Sequence, residues 1–531
     1  LVYKSFLTIR IMKTTNIKYI SWAFLAVLCL TACNKKLEQV NPNQQTATSF
    51  WKTQSDAVAG LNAAYGSLII DGSYMRFTPA MLDIRGDDVR SNSPWTALYN
   101  IGRFALGTAD GSGYAWAYGA YYEGIARCNQ VLDNVPNITM DANLKNRILG
   151  QAHFLRGLYF FHLINFFGKV ELPTHYVKTS ADYFVKQSTE AEGWKQVEDD
   201  FTAAIPLLPV SYTATGGPDQ GQIGRATKGA AMGYLGKTLL FNKDFAGAAA
   251  QFKAVIDLGV YDLVANYKDN FTESNENNIE SIFEVQFSRD AGGTDLGWGG
   301  APTSTWGRTS ARAITFAPRS FGWTDVQPTF SALNEYMIEK TVDGNVDPRV
   351  DATIYYNKPG ETLYGQLFSD VYKNNPADLN DIFCRKYENG DTRANEFDWR
   401  SGINERLMRY ADILLMYAEC LNETGQTAQA YPYIQKVRTR ANLPDLAVTK
   451  PGMSQTEMRD QLAHERLLEF CLEGHRFDDI RRWGWLQDPV KLAMLKTRDP
   501  EFNTYQPGRE YFPIPQSEID NNPGVKQNAT Y

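Results

Sequence analysis

A helical hairpin is written twice in this chain, at Thr227–Tyr261 and again at Tyr410–Pro444, and any fold must accommodate both copies. In the first, Gly236 and Ala248 lie twelve residues apart and are followed by Phe252 and Val255. In the second, Ala418 and Ala430 keep the same spacing and are followed by Ile434 and Val437. Small residues suit positions where one helix crosses another closely, and the larger apolar ones continue that face at i+4 and i+7. The polar turns Asn242-Lys243-Asp244 and Glu423-Thr424-Gly425 divide each copy into two helices.

This is the build of a tetratricopeptide-type unit without its usual contiguous repeat. The copies are separated by a long stretch, so the pattern predicts a scaffold of helical hairpins interrupted by large insertions. The expected fold class is mainly α: tetratricopeptide-like hairpins in a right-handed scaffold, with a large, irregular, loop-rich insertion containing a few short strands. At 43% hydrophobic and 21% charged residues over 531 positions, the chain has ordinary globular composition and enough length for a large core. Net charge is −7 at neutral pH, and more negative for a chain that begins at Cys33, because the residues before it are basic and carry no acid. Such a balance argues against a broad nucleic-acid surface, which needs a basic stripe to neutralise phosphates.

The N-terminus reads as a targeting segment. Met12 is the natural start, leaving residues 1–11 as upstream sequence. Lys13 and Lys18, the apolar run Tyr19–Leu30 and the small residues before Cys33 describe a signal peptide over 12–32. The run is short for a membrane span. Cysteine at the cut resembles a bacterial lipobox, with Cys33 lipidated and residues 33–50 serving as anchor and tether. Cys128, Cys384, Cys420 and Cys471 show no C-x-x-C spacing for zinc; three of them lie on helical, apolar-faced stretches and read as buried thiols, although a disulfide remains open.

Further helices are expected at Ser55–Ile70 (capped by Ser55 or Asp56), Tyr114–Asn134, Asn143–Phe167, Glu190–Leu208 and Met458–Leu472, with another beginning in Glu473–Gly484. Asp71–Gly113 is Gly-rich with little helical period. Within the insertion, Asp262–Glu405, Ile279–Gln286 alternates as a strand does, and short apolar pieces follow at Ile354–Tyr356 and Ile382–Tyr387.

Several blocks resemble the SusD/RagB family of outer-membrane lipoproteins from Bacteroidetes. They are the lipobox, GQAHFLRGLYFFHLINFFGKVELP, the hairpin GRATKGAAMGYLGKTLLFNKDFAGAA, RYADILLMYAECLNETG with YIQKVRTRANLP, LLEFCLEGHRFDDIRRWG and the YFPIP tail. They run in family order over nearly the whole mature chain. The resemblance implies an N-terminal family segment at 51–250 and a C-terminal one at 280–531, forming one unit. It also implies the role of a lid on a SusC-like TonB-dependent transporter, holding oligosaccharide or, in some branches, peptide cargo at the outer membrane facing the cell surface. No cofactor, metal or nucleic-acid partner is implied.

Candidate chemistry is sparse. His475-Arg476-Phe477-Asp478-Asp479 reads as a buried ion-pair and packing block, since charges taken inside must be paired. His153 and His162 are too far apart on their helix for a metal pair. Asp343-x-Asn345-x-Asp347 begins like a calcium loop, but Pro348 replaces the turn Gly and Ile354 the bidentate Glu. Asp87-Asp88 reads as structuring or rim acids rather than a glycosidase pair. The stronger signal is aromatic. Trp95, Trp298, Trp306 and Trp323 fall in Gly-rich, aperiodic stretches, where flat rings can offer platforms to the C–H face of a sugar. By the family resemblance, Arg85, Asn92, Trp95 and Tyr99 are the expected ligand contacts, with Trp298, Trp306 and Trp323 opposite. A non-enzymatic glycan-capturing lipoprotein is the expected function. The alternatives are the same role with peptide cargo, an enzyme, or a repeat scaffold for protein partners.

Overall fold

The computed structural model describes residues 50–290 and 308–531, and thirteen of its α-helices build the architecture. They are α1 (Gln54–Gly66), α2 (Phe77–Asp83), α3 (Thr96–Gly102), α4 (Tyr114–Asn134), α5 (Ala142–Phe167), α6 (Glu190–Ala204) and α7 (Lys228–Phe241). After these come α8 (Phe245–Asp257), α9 (Tyr410–Glu423), α10 (Thr427–Arg440), α11 (Gln455–Phe470), α12 (Arg476–Arg482) and α13 (Pro489–Arg498). The signal segment, Cys33, Trp298 and Trp306 lie outside the described residues. By its own contacts Thr53–Tyr531 makes one unit.

The long helices form a file: α1 on α4, then α4, α5, α6, α7 and α8 each on the next. The file continues from α8 directly onto α9, although the chain leaves for the whole stretch 258–409 in between; α10 and α11 then pack on α9. The two sequence copies are therefore neighbours in space. Their small residues do what the spacing predicts: Ala248, Ala418 and Ala430 are fully buried, and so are Phe252, Ile434 and both valines. Helix α5 sits mid-file with Phe154, Leu155, Leu158, Tyr159 and Phe160 all at 0% exposure, as its nearly all-round apolar sequence requires.

Helix ends follow local side-chain chemistry. Helix α1 starts one step earlier than its apolar period suggests. Thr53 Oγ1 accepts from the Asp56 N–H at 3.2 Å and Asp56 Oδ2 accepts from the Thr53 N–H at 2.8 Å, so Thr53 is the cap and Asp56 the reciprocal acid of a capping box. Thr189 with Glu192, and Ser454 with Glu457, start α6 and α11 the same way. Helix α6 stops at Ala204, ahead of Pro206, rather than at Leu208. The stretch 71–113 is less irregular than its composition suggests, because it holds α2 and α3; two turns each are too short to display a period.

Four two-stranded ribbons stitch the insertion together, from β1 (Val89–Ser91), β2 (Ser281–Val285), β3 (Val326–Pro328), β4 (Ile354–Tyr355), β5 (Thr362–Leu363), β6 (Gln366–Leu367), β7 (Phe383–Cys384) and β8 (Glu405–Arg409). All pairs are antiparallel: β1 with β3, β2 with β8, β4 with β7 and β5 with β6. The β2–β8 ribbon closes the insertion at its base, and a buried ion network locks it. Arg409 on β8 reaches Glu280 at 2.5 Å, Glu469 at 2.9 Å and Glu473 at 2.7 Å. Arg440 also pairs with Glu280 and Glu469, and Arg349 with Glu465 at 2.7 Å and Glu469 at 3.1 Å. Cys128, Cys384, Cys420 and Cys471 are all free and buried, so none forms the disulfide that the sequence left open.

Candidate aromatic binding surface

The site is built outward from Arg76. Its guanidinium is buried and held by Asp71 in a two-point contact, Nε to Oδ1 at 2.8 Å and Nη2 to Oδ2 at 2.5 Å. That fixed cation lies 4.5 Å from the ring centroid of Phe77 and 5.6 Å from that of Trp95. Trp95, at the N-terminus of α3, and Trp116, in the first turn of α4, both meet Phe77 edge-on at 5.2 and 5.3 Å. The two indoles stand 5.6 Å apart and both are half-buried, so each keeps part of its surface to solvent. Gly113 holds φ +64° just before α4, a left-handed turn that leads the chain into the helix close to Phe77.

A second indole pair adjoins the first. The β1–β3 ribbon continues beyond its last pair through the Asn92 N–H to Asp325 O bond of 2.8 Å, which brings the Trp323 segment beside the Trp95 segment. Trp323 meets Trp399 at 5.6 Å, and both rings rest on Met75, Ala311 and Ile314. The Met75 carbonyl accepts from the Ala311 N–H at 2.9 Å, so the residue just before Arg76 anchors this second pair. Ser310 and Ser401 exchange backbone hydrogen bonds of 2.7 and 3.1 Å and pin the Trp399 loop. Between the pairs, burial raises the Asp325 carboxyl above the usual range, with the Ser93 hydroxyl and Arg76 opposing. The result is two neighbouring indole pairs, one tilted beside a buried Arg–Asp couple and one edge-on.

The residues expected as contacts divide. Trp95 and Trp323 belong to the two pairs. Asn92 is exposed beside them, its backbone committed to Asp325. Tyr99 is 42% exposed one helical turn after Trp95, but Arg103 covers one ring face at 3.4 Å. Arg85 is a correction. It is 2% exposed, its guanidinium sandwiched 3.9 Å from Phe477 and 4.4 Å from Phe512, so it packs the interior instead of lining a rim. A flat, weakly hydrated guanidinium tolerates such stacking; burial lowers its pKa to about 9. Trp116 and Trp399 went unremarked in the sequence. Trp399 lies in the polar, aperiodic run RANEFDWRSG, a signal of the same kind that marked Trp95.

The other polar motifs are structural. Arg476 and Arg498 pair with Asp87, each at 2.5 Å, and Arg466 joins Asp412 and Asp479 at 2.7 Å. His153 bonds to Asp200 at 2.9 Å, and buried His162 meets the Tyr74 hydroxyl. Asp347 is held by Arg349 at 2.7 Å. Among the described residues no cluster of His, Cys, Asp and Glu is arranged to hold a metal ion, and no helix is long and apolar enough to cross a membrane.

Two family models match the chain, the SusD family over residues 279–531 and a family described as starch-binding associating with outer membrane over residues 78–240. This chain belongs to the SusD/RagB family. SusD-like protein P25 of Formosa agariphila is 27% identical over 96% of this chain and 98% of its own. A SusD superfamily protein from Bacteroides vulgatus superposes with a TM-score of 0.79 at 28% identity, over 91% of this chain and all of that one. A laminarin-binding SusD-like protein gives 0.71 at 26% identity, over 90% of this chain and all of that one. The helical file with a loop-built face is thus the SusD architecture.

Proposed function

We propose that this SusD/RagB member is a cell-surface lipoprotein, held by lipid on Cys33, that captures oligosaccharides or polysaccharides and passes them to a SusC-like TonB-dependent transporter in the outer membrane. The observation that carries the reading is the pairing of Trp95 with Trp116 and of Trp323 with Trp399 around Met75–Phe77. Pyranose rings have an apolar C–H face, and part-exposed indoles held rigidly from beneath present such a face at low entropic cost. The laminarin-binding relative supports the ligand class.

The test is calorimetry and tryptophan fluorescence of the full-length protein against plant, host and microbial polysaccharides and peptide digests, with Trp95→Ala and Trp323→Ala beside the wild type. Saturable glycan binding that either variant weakens, with the polymer intact afterwards, is the expected result. Binding of peptides alone transfers the reading to peptide cargo. Delivery is tested separately, by co-purification of a TonB-dependent barrel with the lipidated protein.

A further inference from the structure

A cavity of about 450 Å³ opens where the turns of the two hairpins come together, and it shares no residue with the aromatic surface above. Lys243 and Phe245 from the α7–α8 turn line it, as do Glu419 and Glu423 at the end of α9. Its other wall is the start of α11 and the segment after α12, which brings Trp483 and Trp485. Its volume lies within the range of small-molecule sites.

The two indoles are preorganised. Their centroids are 5.1 Å apart, the rings tilted by 40°. Trp483 donates from Nε1 to Glu419 Oε1 at 2.9 Å, and Arg482 holds the other oxygen of that carboxylate at 2.7 Å. Trp485 packs on the Phe477–Leu486–Leu495 cluster, with Lys491 Nζ 4.9 Å from its ring centroid. The charges around the rings cancel. Four basic and four acidic side chains line the cavity, and Arg459 pairs with Glu423 at 2.6 Å and Lys491 with Asp460 at 2.7 Å. A neutral lining rich in paired donors and acceptors around a rigid aromatic pair selects against ions and for an uncharged polyhydroxylated ring.

We propose that this cavity is a second saccharide site, taking a short neutral sugar segment with one ring on Trp483 and Trp485. The ligand class rests on the glycan reading above; the location does not. The two sites together make the protein bivalent for one polymer chain, which raises avidity without any new contact at the first site.

The test is calorimetry of the full-length protein in detergent micelles with maltohexaose, cellohexaose and laminarihexaose. Trp95→Ala removes the first site. Thr456→Trp fills the cavity from an exposed position on the first turn of α11, leaving the core untouched, and Trp485→Ala removes a platform. The expected result is residual binding of one hexasaccharide in Trp95→Ala that falls at least tenfold when either cavity substitution is added. Residual binding that neither substitution changes, that only Trp485→Ala changes, or that is absent from Trp95→Ala overturns the second site and leaves the first standing. Binding undiminished in Trp95→Ala but abolished by Thr456→Trp supports the second site and overturns the first. Failure of the wild type to bind any of the three overturns the second site, while the polysaccharide panel above decides the first.

Discussion

Gly236 stands so close to Phe252 that a β-carbon at the glycine would lie 2.6 Å from the ring's Cε1. That approach sets the distance between α7 and α8. Gly236→Ala gains about 1 kcal/mol of helix propensity but overpacks a fully buried ring, which costs about 1–3 kcal/mol. A net loss of about 1 kcal/mol is expected, read as a lower urea midpoint with an unchanged slope.

Arg409→Met leaves three carboxylates, on Glu280, Glu469 and Glu473, each short of a cation. A loss of about 3–5 kcal/mol is expected by urea denaturation. Burial alone would raise the Glu469 carboxyl, yet Arg440, Arg409 and Arg349 outweigh it and hold it well below the usual range. A depressed carboxyl stabilises fully above its unfolded value, about 4.3, and that stability is lost as pH falls further. The wild type therefore loses thermal stability steeply below about pH 4, and the Arg409 variant less steeply.

Asp88 works in the opposite direction. Burial and the neighbouring Asp87 raise its carboxyl to about 8, with Arg476 opposing. A raised carboxyl favours the fold while protonated, so stability declines as pH climbs from the unfolded value of about 3.9 towards the folded one. Asp88→Asn is expected to flatten the fall in Tm between pH 5 and pH 8, as scanning calorimetry at both pH values will show.

Burial pushes the thiols of Cys128, Cys384, Cys420 and Cys471 well above the ordinary cysteine range. Thiolate is the reactive form. Alkylation followed by peptide mapping is expected to leave all four unlabelled in the native protein and to label all four in denaturant.

Trp116 was not a sequence candidate, so it tests the surface independently. Trp116→Ala leaves Trp95 without its indole neighbour and is expected to weaken glycan binding about tenfold, on the order of 1.4 kcal/mol. Calorimetry against the polymer that the wild type binds, with Tm measured alongside, checks this.

The long helices were legible because each repeats its period over several turns, and the doubled hairpin because its small residues keep one spacing. Helices α2 and α3 were not, since seven residues display no period. The pieces at Ile354 and Phe383 could be seen, but not that they pair: register between distant short strands is set by the surrounding core. Trp95 and Trp323 stood out by lying in aperiodic sequence, whereas Trp116 was hidden within a helix. Arg85 was misplaced because its location depends on Phe477 and Phe512, which come from the other end of the chain. A charged residue in a Gly-rich stretch says nothing about which rings will close over it.

The β2–β8 ribbon brings the chain back to within one strand spacing of where it departed, so everything between is an excursion from a finished joint. Arg349 and β3 fasten that excursion back to α11 and β1, so it is held at more than its base. The Trp323–Trp399 pair rides on that excursion, whereas the Trp95–Trp116 pair is rooted in the helical scaffold at α3 and α4. The consequence falls on biosynthesis, because α8 must wait for α9 to be translated before its apolar face is covered.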